Sequence, residues 1–189
     1  MRPPNLPLER AAFGRPLTFT LGVSQPHHHT HMLKLYKNVA GSLHYHEAWV
    51  TDRTIHEHWG VVGERGQTAE HTLPAVQAEE DAVLVVLRPA IENGFCPIEL
   101  EDHATLLIEY EIDGMGSPQD LRKRHALEDR MNETLGWTGL GACDGGSIGS
   151  GTMEVCCFVV DFEVARRVIE SDLSGTEFAG FSRIVDEDA

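Results

Sequence analysis

The sequence lacks long apolar runs, and it lacks cysteine pairs of the C-x-x-C type. No apolar segment approaches the ~20 residues that a membrane-spanning helix needs, so we expect no interaction with a membrane. The four cysteines, two of them adjacent, predict neither a disulfide framework nor a zinc ribbon. We therefore expect a cytoplasmic protein that folds in a reducing compartment.

Positive charge is also scarce in this chain. The 189 residues include 15 lysines and arginines against 30 aspartates and glutamates, which gives a net charge of −15 with histidine neutral. This charge repels phosphate backbones and argues against nucleic acid as a partner, whereas it would steer a basic protein towards the surface. The hydrophobic content of 41% is typical of a globular protein, and the length allows one domain or two small ones.

The first 31 residues differ from the rest of the chain. They contain five of the nine prolines and a single acid, Glu9. Neither strand-like alternation nor a helical stripe persists, so we expect a disordered leader over residues 1–31. Met32 opens the first strand-like run and is an alternative native start to Met1. The leader also contains a histidine cluster that would bind metal only adventitiously, formed by His27, His28, His29 and His31.

The pattern of residues 32–103 predicts a small β domain. Alternating or β-branched segments predict strands at 33–37, 43–50, 54–62 and 67–73. Thr51-Asp52-Arg53 predicts a short hairpin connection between the second and third of these strands. The segment 74–82 predicts a short helix, and 82–87 predicts either a buried strand or the end of that helix, because periodicity does not decide over so few residues.

The pattern of residues 104–189 predicts strands and helices in the order βαββαβ. The predicted strands are 105–112, a bulged glycine-rich strand with a hairpin turn within 139–151, 153–160 and 181–185. Ser117 and Asp161 are predicted to cap the two helices, over 118–136 and 162–173. This order is that of a ferredoxin-like domain, in which two helices pack on one face of a four-stranded antiparallel sheet. The predicted fold class is α+β, a small antiparallel β module followed by a ferredoxin-like module.

The most recognisable motif is Trp59-Gly60-Val61-Val62-Gly63-Glu64-Arg65-Gly66-Gln67. It resembles the core of the WGR domain, whose signature is Trp-Gly-Arg followed by a Val-Gly-x-x-Gly-Gln turn, and the resemblance covers about residues 33–90. WGR domains in poly(ADP-ribose) polymerases bind DNA ends, so the resemblance implies nucleic-acid-end binding as an alternative function. Val61 stands where the signature has arginine, which removes one cation. The binding residues that the resemblance implies are Trp59, Gly60, Gly63, Arg65, Gly66 and Gln67.

Two histidine pairs, His44-x-His46 and His56-x-His58, each place two imidazoles on one face of a strand, since side chains alternate. If the loop at 51–53 has three residues, all four imidazoles share a face, where they would bind zinc, nickel or copper. If the loop is shorter by one residue, the two pairs lie on opposite faces. The remaining alternative is a solvated histidine-rich surface that titrates near neutral pH.

The glycine-rich segment from Leu140 to Gly151 resembles part of a class of small uncharacterised bacterial proteins, some of them immunity or accessory proteins. The resemblance covers about residues 104–185. Asp144 is the ionisable residue among these glycines, and it is a candidate for orienting a ligand or binding calcium. The alternative is ordinary turn chemistry, which aspartate beside glycine supplies.

We therefore predict a non-enzymatic binding protein with a basic protein partner, and the second resemblance implies an immunity or accessory role. Cys143, Cys156 and Cys157 lie in apolar, strand-like segments, where a free cysteine acts mainly as a small hydrophobe. No catalytic residue is predicted, and no cofactor apart from zinc or nickel at the histidine patch. A homodimer through the open sheet is an alternative, by analogy with ferredoxin-like folds.

Overall fold

The described residues of the computed structural model are 32–187 and 189. Within them the chain forms two four-stranded antiparallel sheets and three α-helices, a mixed arrangement compatible with the predicted α+β class. None of these helices is both long enough and apolar enough to cross a membrane. The predicted disordered leader, with its histidine cluster, lies outside the described residues.

The first sheet contains β1 (Met32–Val39), β2 (Ser42–Thr51), β3 (Thr54–Val61) and β4 (Gln67–Thr72), paired in chain order. Two-residue turns join the first three strands, at 40–41 and 52–53, and all four turn residues have positive φ. Such turns match the twist of paired strands. Thr51 pairs with Thr54, so the three-residue loop considered from the sequence is wrong and the shorter loop is present.

Helix α1 (Glu79–Glu92) packs on one face of this sheet. Its buried residues, Ala82, Val83, Leu87 and Ala90, recur at helical spacing and join a cluster with Leu35, Ala48, Val50 and Ile55 of the sheet. The strand considered for 82–87 is therefore wrong, and the helix begins at Glu79 rather than near Pro74. Burial against the sheet makes residues 82–87 helical, because tertiary packing supplies most of the stability of a short helix.

The second sheet follows a short 3-10 helix at Leu100–Asp102. Its elements are β5 (Ala104–Glu111), α2 (Pro118–Trp137), β6 (Gly141–Gly149), β7 (Thr152–Val159), α3 (Phe162–Leu173) and β8 (Arg183–Asp186). The strand order is β6-β7-β5-β8, with all neighbours antiparallel. The predicted bulge is confirmed, because Asp144 is left unpaired between Cys143 and Gly145.

Both predicted helix caps are confirmed. The Ser117 side chain accepts from the Asp120 N–H and the Asp120 side chain accepts from the Ser117 N–H, a reciprocal capping box at the start of α2. The Asp161 carboxylate accepts from the Val164 N–H at 2.9 Å at the start of α3. Gly136 does not end α2 as predicted, since the helix continues to Trp137.

The two sheets share one hydrophobic cluster. Tyr36 and Tyr45 of the first sheet, and Val62 directly after β3, belong to the same buried cluster as the residues of β5 and β7 that pack under α2 and α3. The Tyr36 hydroxyl donates to the Gly139 carbonyl at 3.1 Å. The Gly63 N–H donates to the Thr138 carbonyl at 2.8 Å, so the segment after α2 is held against the first sheet by packing and by hydrogen bonds.

Candidate functional site

A chain of four polar side chains, three of them buried, lies on the face of the first sheet that meets the second. The Tyr45 hydroxyl lies 2.9 Å from Nε2 of His58. Nδ1 of His58 lies 2.7 Å from the Glu47 carboxylate, which in turn lies 2.9 Å from the Lys34 ammonium. Tyr45 and His58 are each 1% exposed and Glu47 is 3% exposed, whereas the Lys34 side chain is 19% exposed, so the network reaches solvent only at Lys34.

The Tyr45 hydroxyl extends this network beyond the sheet. It lies against Nε2 of His58, and it also donates to the Glu64 carbonyl at 3.4 Å. Burial, and then the charge of Glu47, raise the pKa of Tyr45 to about 12, although a hydrogen bond from the Gly66 backbone acts in the opposite direction. Tyr45 therefore stays protonated at neutral pH and connects the sheet to the β3–β4 loop.

The glycines of the sequence motif lie at the end of β3, as Gly60, and in the loop between β3 and β4, as Gly63 and Gly66. A Cβ on Gly60 would lie 2.9 Å from the Gly66 Cα, and a Cβ on Gly66 would lie 2.2 Å from the Tyr45 hydroxyl oxygen. A Cβ on Gly63, where φ is +90°, would lie 2.4 Å from a methyl carbon of Val164 on α3. Because these glycines have no side chain, the β3–β4 loop packs closely against Tyr45 of the first sheet and against Val164 of α3.

An open cleft of about 730 Å³ lies where this loop meets α2 and α3. Gly63 and Arg65, two of the predicted binding residues, line it. The Arg65 guanidinium lies 5.4 Å from the ring centroid of Trp137, within cation–π range. Further charged residues of both signs line the cleft, namely Glu64, Glu133, Arg167 and Asp172, so the lining does not select one sign of ligand charge.

The four predicted metal-binding histidines do not share a face. The register pairs His46 with Trp59 and Glu47 with His58, which places His44 and His46 on one face and His56 and His58 on the other. The patch of four imidazoles that a three-residue loop would give is therefore wrong, and the alternative with the two pairs on opposite faces is confirmed, because the turn has two residues. Among residues 32–187 and 189, no group of three or more His, Cys, Asp or Glu side chains is arranged to hold a metal ion.

The remaining predicted binding residues are dispersed. Trp59 packs against His46, with ring centroids 5.7 Å apart, on the face opposite the buried network. Gln67 is exposed and pairs with Trp59 at the start of β4. Asp144 is the exposed bulge residue of β6, at an edge of the second sheet. The structure brings Gly63 and Arg65 together at the cleft, and it places Trp59 and Asp144 elsewhere.

The outward side of α1 is a surface that sequence reasoning did not identify. Leu84 is 46% exposed, Val85 is 51% exposed and Ile91 is 42% exposed. The helix also carries four acids, Glu79, Glu80, Asp81 and Glu92, against one base, Arg88. We call the exposed side chains of this side the α1 surface, namely Asp81, Leu84, Val85, Arg88, Ile91 and Glu92. Large apolar side chains that are exposed together on one side of a helix mark a candidate interaction site.

Comparison with protein-family models, with curated proteins and with solved structures found no match. Sequence reasoning also missed Lys34, Tyr45 and Glu47, although alternation along β1 and β2 would have placed them with His58 once the two-residue turns were known.

Proposed function

We propose that this protein is a non-enzymatic binding protein whose α1 surface docks a basic, amphipathic segment of a partner protein. The observation that carries the proposal is the exposure of Leu84, Val85 and Ile91 on a helix whose charged residues are mostly acidic. The apolar side chains supply area that is removed from water on binding, and the acids attract a cationic partner and select its orientation.

The position of α1 in the fold supports docking on its outer side. Its inner side is already occupied by the first sheet, where Val83 and Leu87 are buried. The sequence from Ala82 to Leu87 is apolar throughout, so the helix has more apolar side chains than the sheet can cover. A partner that contacts Leu84 and Ile91 would complete their burial.

The net charge supports a basic partner. The chain carries −15 overall with histidine neutral, and the first turn of α1 contains Glu79, Glu80 and Asp81. Lysines or arginines spaced along an amphipathic segment would face these acids while its apolar residues contact the α1 surface. An immunity or accessory role, in which an acidic protein masks a basic one, falls within this proposal.

The proposal contains no chemical step. Tyr45, His58 and Glu47 are the described residues that come closest to a nucleophile, a base and an orienting carboxylate. Their burial removes the Tyr45 hydroxyl from any substrate in solution. We assign the network a structural role, the connection of the β3–β4 loop to the sheet.

The proposal includes a ferredoxin-like arrangement for residues 104–186 and a WGR-like origin for the first sheet. The βαββαβ element order and the strand order β6-β7-β5-β8 support the former. The latter rests on the motif between Trp59 and Gln67. The seating of Gly60 and Gly66 against Tyr45 gives that motif a packing role in this chain.

The test uses a synthetic amphipathic peptide of leucine and lysine, and the same peptide with glutamine in place of lysine. We expect the lysine peptide to bind the full chain, and we expect its affinity to fall as the salt concentration rises, because the attraction is electrostatic. The double variant Leu84→Ser/Ile91→Ser should bind about tenfold more weakly. Leu121→Ser on α2, where Leu121 is 40% exposed, is the matched control and should bind like the wild type.

Two results would overturn the proposal. One is equal binding of the peptide to the wild type and to Leu84→Ser/Ile91→Ser, with both chains shown by circular dichroism to be folded. The other is a gel shift with nicked or blunt DNA duplexes at low salt and micromolar protein, without peptide binding. That second result would favour the nucleic-acid-end function implied by the WGR resemblance.

A further inference from the structure

Cys143 and Cys157 are directly opposite each other on neighbouring strands. The register pairs Cys143 of β6 with Cys157 of β7, one position before the bulge at Asp144. Opposite residues of antiparallel strands have Cα atoms about 4.5–5.5 Å apart, and disulfides span about 4.4–6.8 Å between Cα atoms. Both side chains point towards the core under α2, so a bond between the two sulfurs needs little movement of the backbone.

The surroundings of the two sulfurs differ. Cys157 is fully buried, whereas Cys143 is only partly buried. The bulge turns the Gly145 N–H towards Cys143, and it donates to the Cys143 sulfur at 3.4 Å. A hydrogen bond from the Cys157 thiol holds the pKa of Cys143 below its ordinary value, although burial acts in the opposite direction. Cys143 is therefore the more readily ionised of the pair.

The other two cysteines lack this arrangement. Cys156 is adjacent to Cys157 in sequence, so its side chain points to the opposite face of the sheet, where it lies across from Gly145. Burial raises the pKa of Cys156 to about 11, which keeps it in the thiol form at neutral pH. Cys96 is exposed and pairs through its backbone with Tyr36 of the first sheet.

We propose that Cys143 and Cys157 form a thiol-oxidation site, in which a hydroperoxide oxidises Cys143 and Cys157 then closes a cross-strand disulfide. This function is independent of the α1 surface. The partly buried sulfur meets the oxidant, and the fully buried sulfur lies at the position from which it can attack the oxidised one.

The two steps balance with hydrogen peroxide as the oxidant. The Cys143 thiolate attacks one peroxide oxygen, the O–O bond breaks, and Cys143 becomes a sulfenic acid while hydroxide leaves and is protonated to water. The Cys157 sulfur then attacks the Cys143 sulfur, the S–O bond breaks, and a second hydroxide leaves as water with the proton from Cys157. The protein loses two protons and two electrons, and the peroxide is reduced to two molecules of water.

The experiment treats the reduced full chain with hydrogen peroxide and maps its disulfides by mass spectrometry under non-reducing conditions. We expect an intramolecular Cys143–Cys157 disulfide that dithiothreitol reverses. Cys157→Ser should stop at the sulfenic acid, which dimedone labels at Cys143. Cys143→Ser should abolish both products, and Cys96→Ser/Cys156→Ser, which keeps only the proposed pair, should form the disulfide at the rate of the wild type.

Cys157 lies in the core, so circular dichroism checks that Cys157→Ser folds. If it does not fold, the disulfide maps of the wild type and of Cys96→Ser/Cys156→Ser still test the proposal. Peroxide treatment in urea is the matched reference, because it removes the pairing of β6 with β7. The proposal is overturned if the native protein forms no Cys143–Cys157 bond, if Cys96 or an intermolecular bond dominates, or if the same bond forms equally fast in urea.

Discussion

Tyr45 connects the first sheet to the segment after α2 and to the β3–β4 loop. Its ring packs against Gly139, its hydroxyl lies against Gly66, and it hydrogen-bonds to His58. Through His58 it reaches Glu47 and Lys34. A buried network of this kind is stable only when each donor and acceptor has a partner, because an unpaired polar group in the interior has lost its water without replacement.

We expect Tyr45→Phe to lower the free energy of unfolding by about 1–3 kcal/mol, because it leaves Nε2 of His58 and the Gly66 N–H without a partner. Denaturant unfolding followed by circular dichroism measures this change. Ser147→Ala, which removes an exposed hydroxyl bonded to Glu154, is the control and should change stability by no more than about 0.5 kcal/mol. Equal effects of the two substitutions would contradict the role of the network.

The three tyrosines of the chain should all resist ionisation in alkali. Burial raises the pKa of Tyr45 and of Tyr110 to about 12, and burial also raises the pKa of Tyr36. In the unfolded chain tyrosine ionises near its ordinary pKa of about 10. Above that pH the unfolded state binds fewer protons than the folded state, so the free energy of unfolding falls as the pH rises from about 10 towards 12.

The ultraviolet absorbance of tyrosinate measures the ionisation of the three tyrosines directly. We expect the native protein to show no tyrosinate absorbance at the pH where the urea-unfolded chain is half titrated. A native protein in which a tyrosine titrates together with the unfolded chain would show that this residue is accessible to solvent, contrary to the burial of Tyr36, Tyr45 and Tyr110.

At the scale of elements, short turns set the register of the first sheet. Ala40 and Gly41 form the turn between β1 and β2, with φ angles of +52° and +91°. Asp52 and Arg53 form the next turn, also with positive φ. The pairing of every side chain in β2 and β3 depends on that second turn, because one additional residue would move each side chain of one strand to the other face.

We expect Ala40→Asn to raise the free energy of unfolding by about 1 kcal/mol, because asparagine tolerates the left-handed conformation that alanine adopts here at a cost. Thermal or denaturant unfolding measures the sign and the size of this change in the free energy of unfolding. Ala142→Asn, at an exposed position in the extended strand β6, is the control and should give no gain. A loss of stability in Ala40→Asn would contradict the assigned turn.

At the scale of the whole molecule, the two sheets are joined through a shared core. The segment after α2 lies against Tyr36 and Tyr45, and the loop after β3 lies against α3. Hydrophobic contacts that cross between the sheets make the stability of one depend on the other. We therefore expect residues 32–187 to unfold in a single cooperative transition.

Gly139→Ala tests this coupling. A Cβ at position 139 would lie 2.2 Å from the ring of Tyr45, and φ there is +66°. We expect the free energy of unfolding to fall by about 1–3 kcal/mol, as for other overpacked positions. The unfolding midpoints measured by tryptophan fluorescence and by circular dichroism should shift together. Gly136→Ala, where a Cβ meets open space within α2, is the control and should raise stability by about 0.5–1 kcal/mol. Separate transitions for the two probes would show that the sheets unfold independently.

Local sequence patterns determined much of the structure between Ala104 and Asp186. The cap residues Ser117 and Asp161 mark the helix starts, and the bounds of α3 agree with the predicted 162–173. The bulge in the glycine-rich segment was also predictable. These features depend on neighbours within a few positions, so the chain specifies them before any distant contact forms.

The sequence by itself determined the order of most elements, their caps and the acidic charge of the molecule. Tertiary structure alone decided the register between β2 and β3, which separates the histidine pairs and brings Glu47 to His58. It alone made the segment after Ala82 a helix, exposed Leu84 and Ile91, and set Cys143 against Cys157. Capping and periodicity act over a few residues, whereas register, burial and exposure depend on which distant segments pack together.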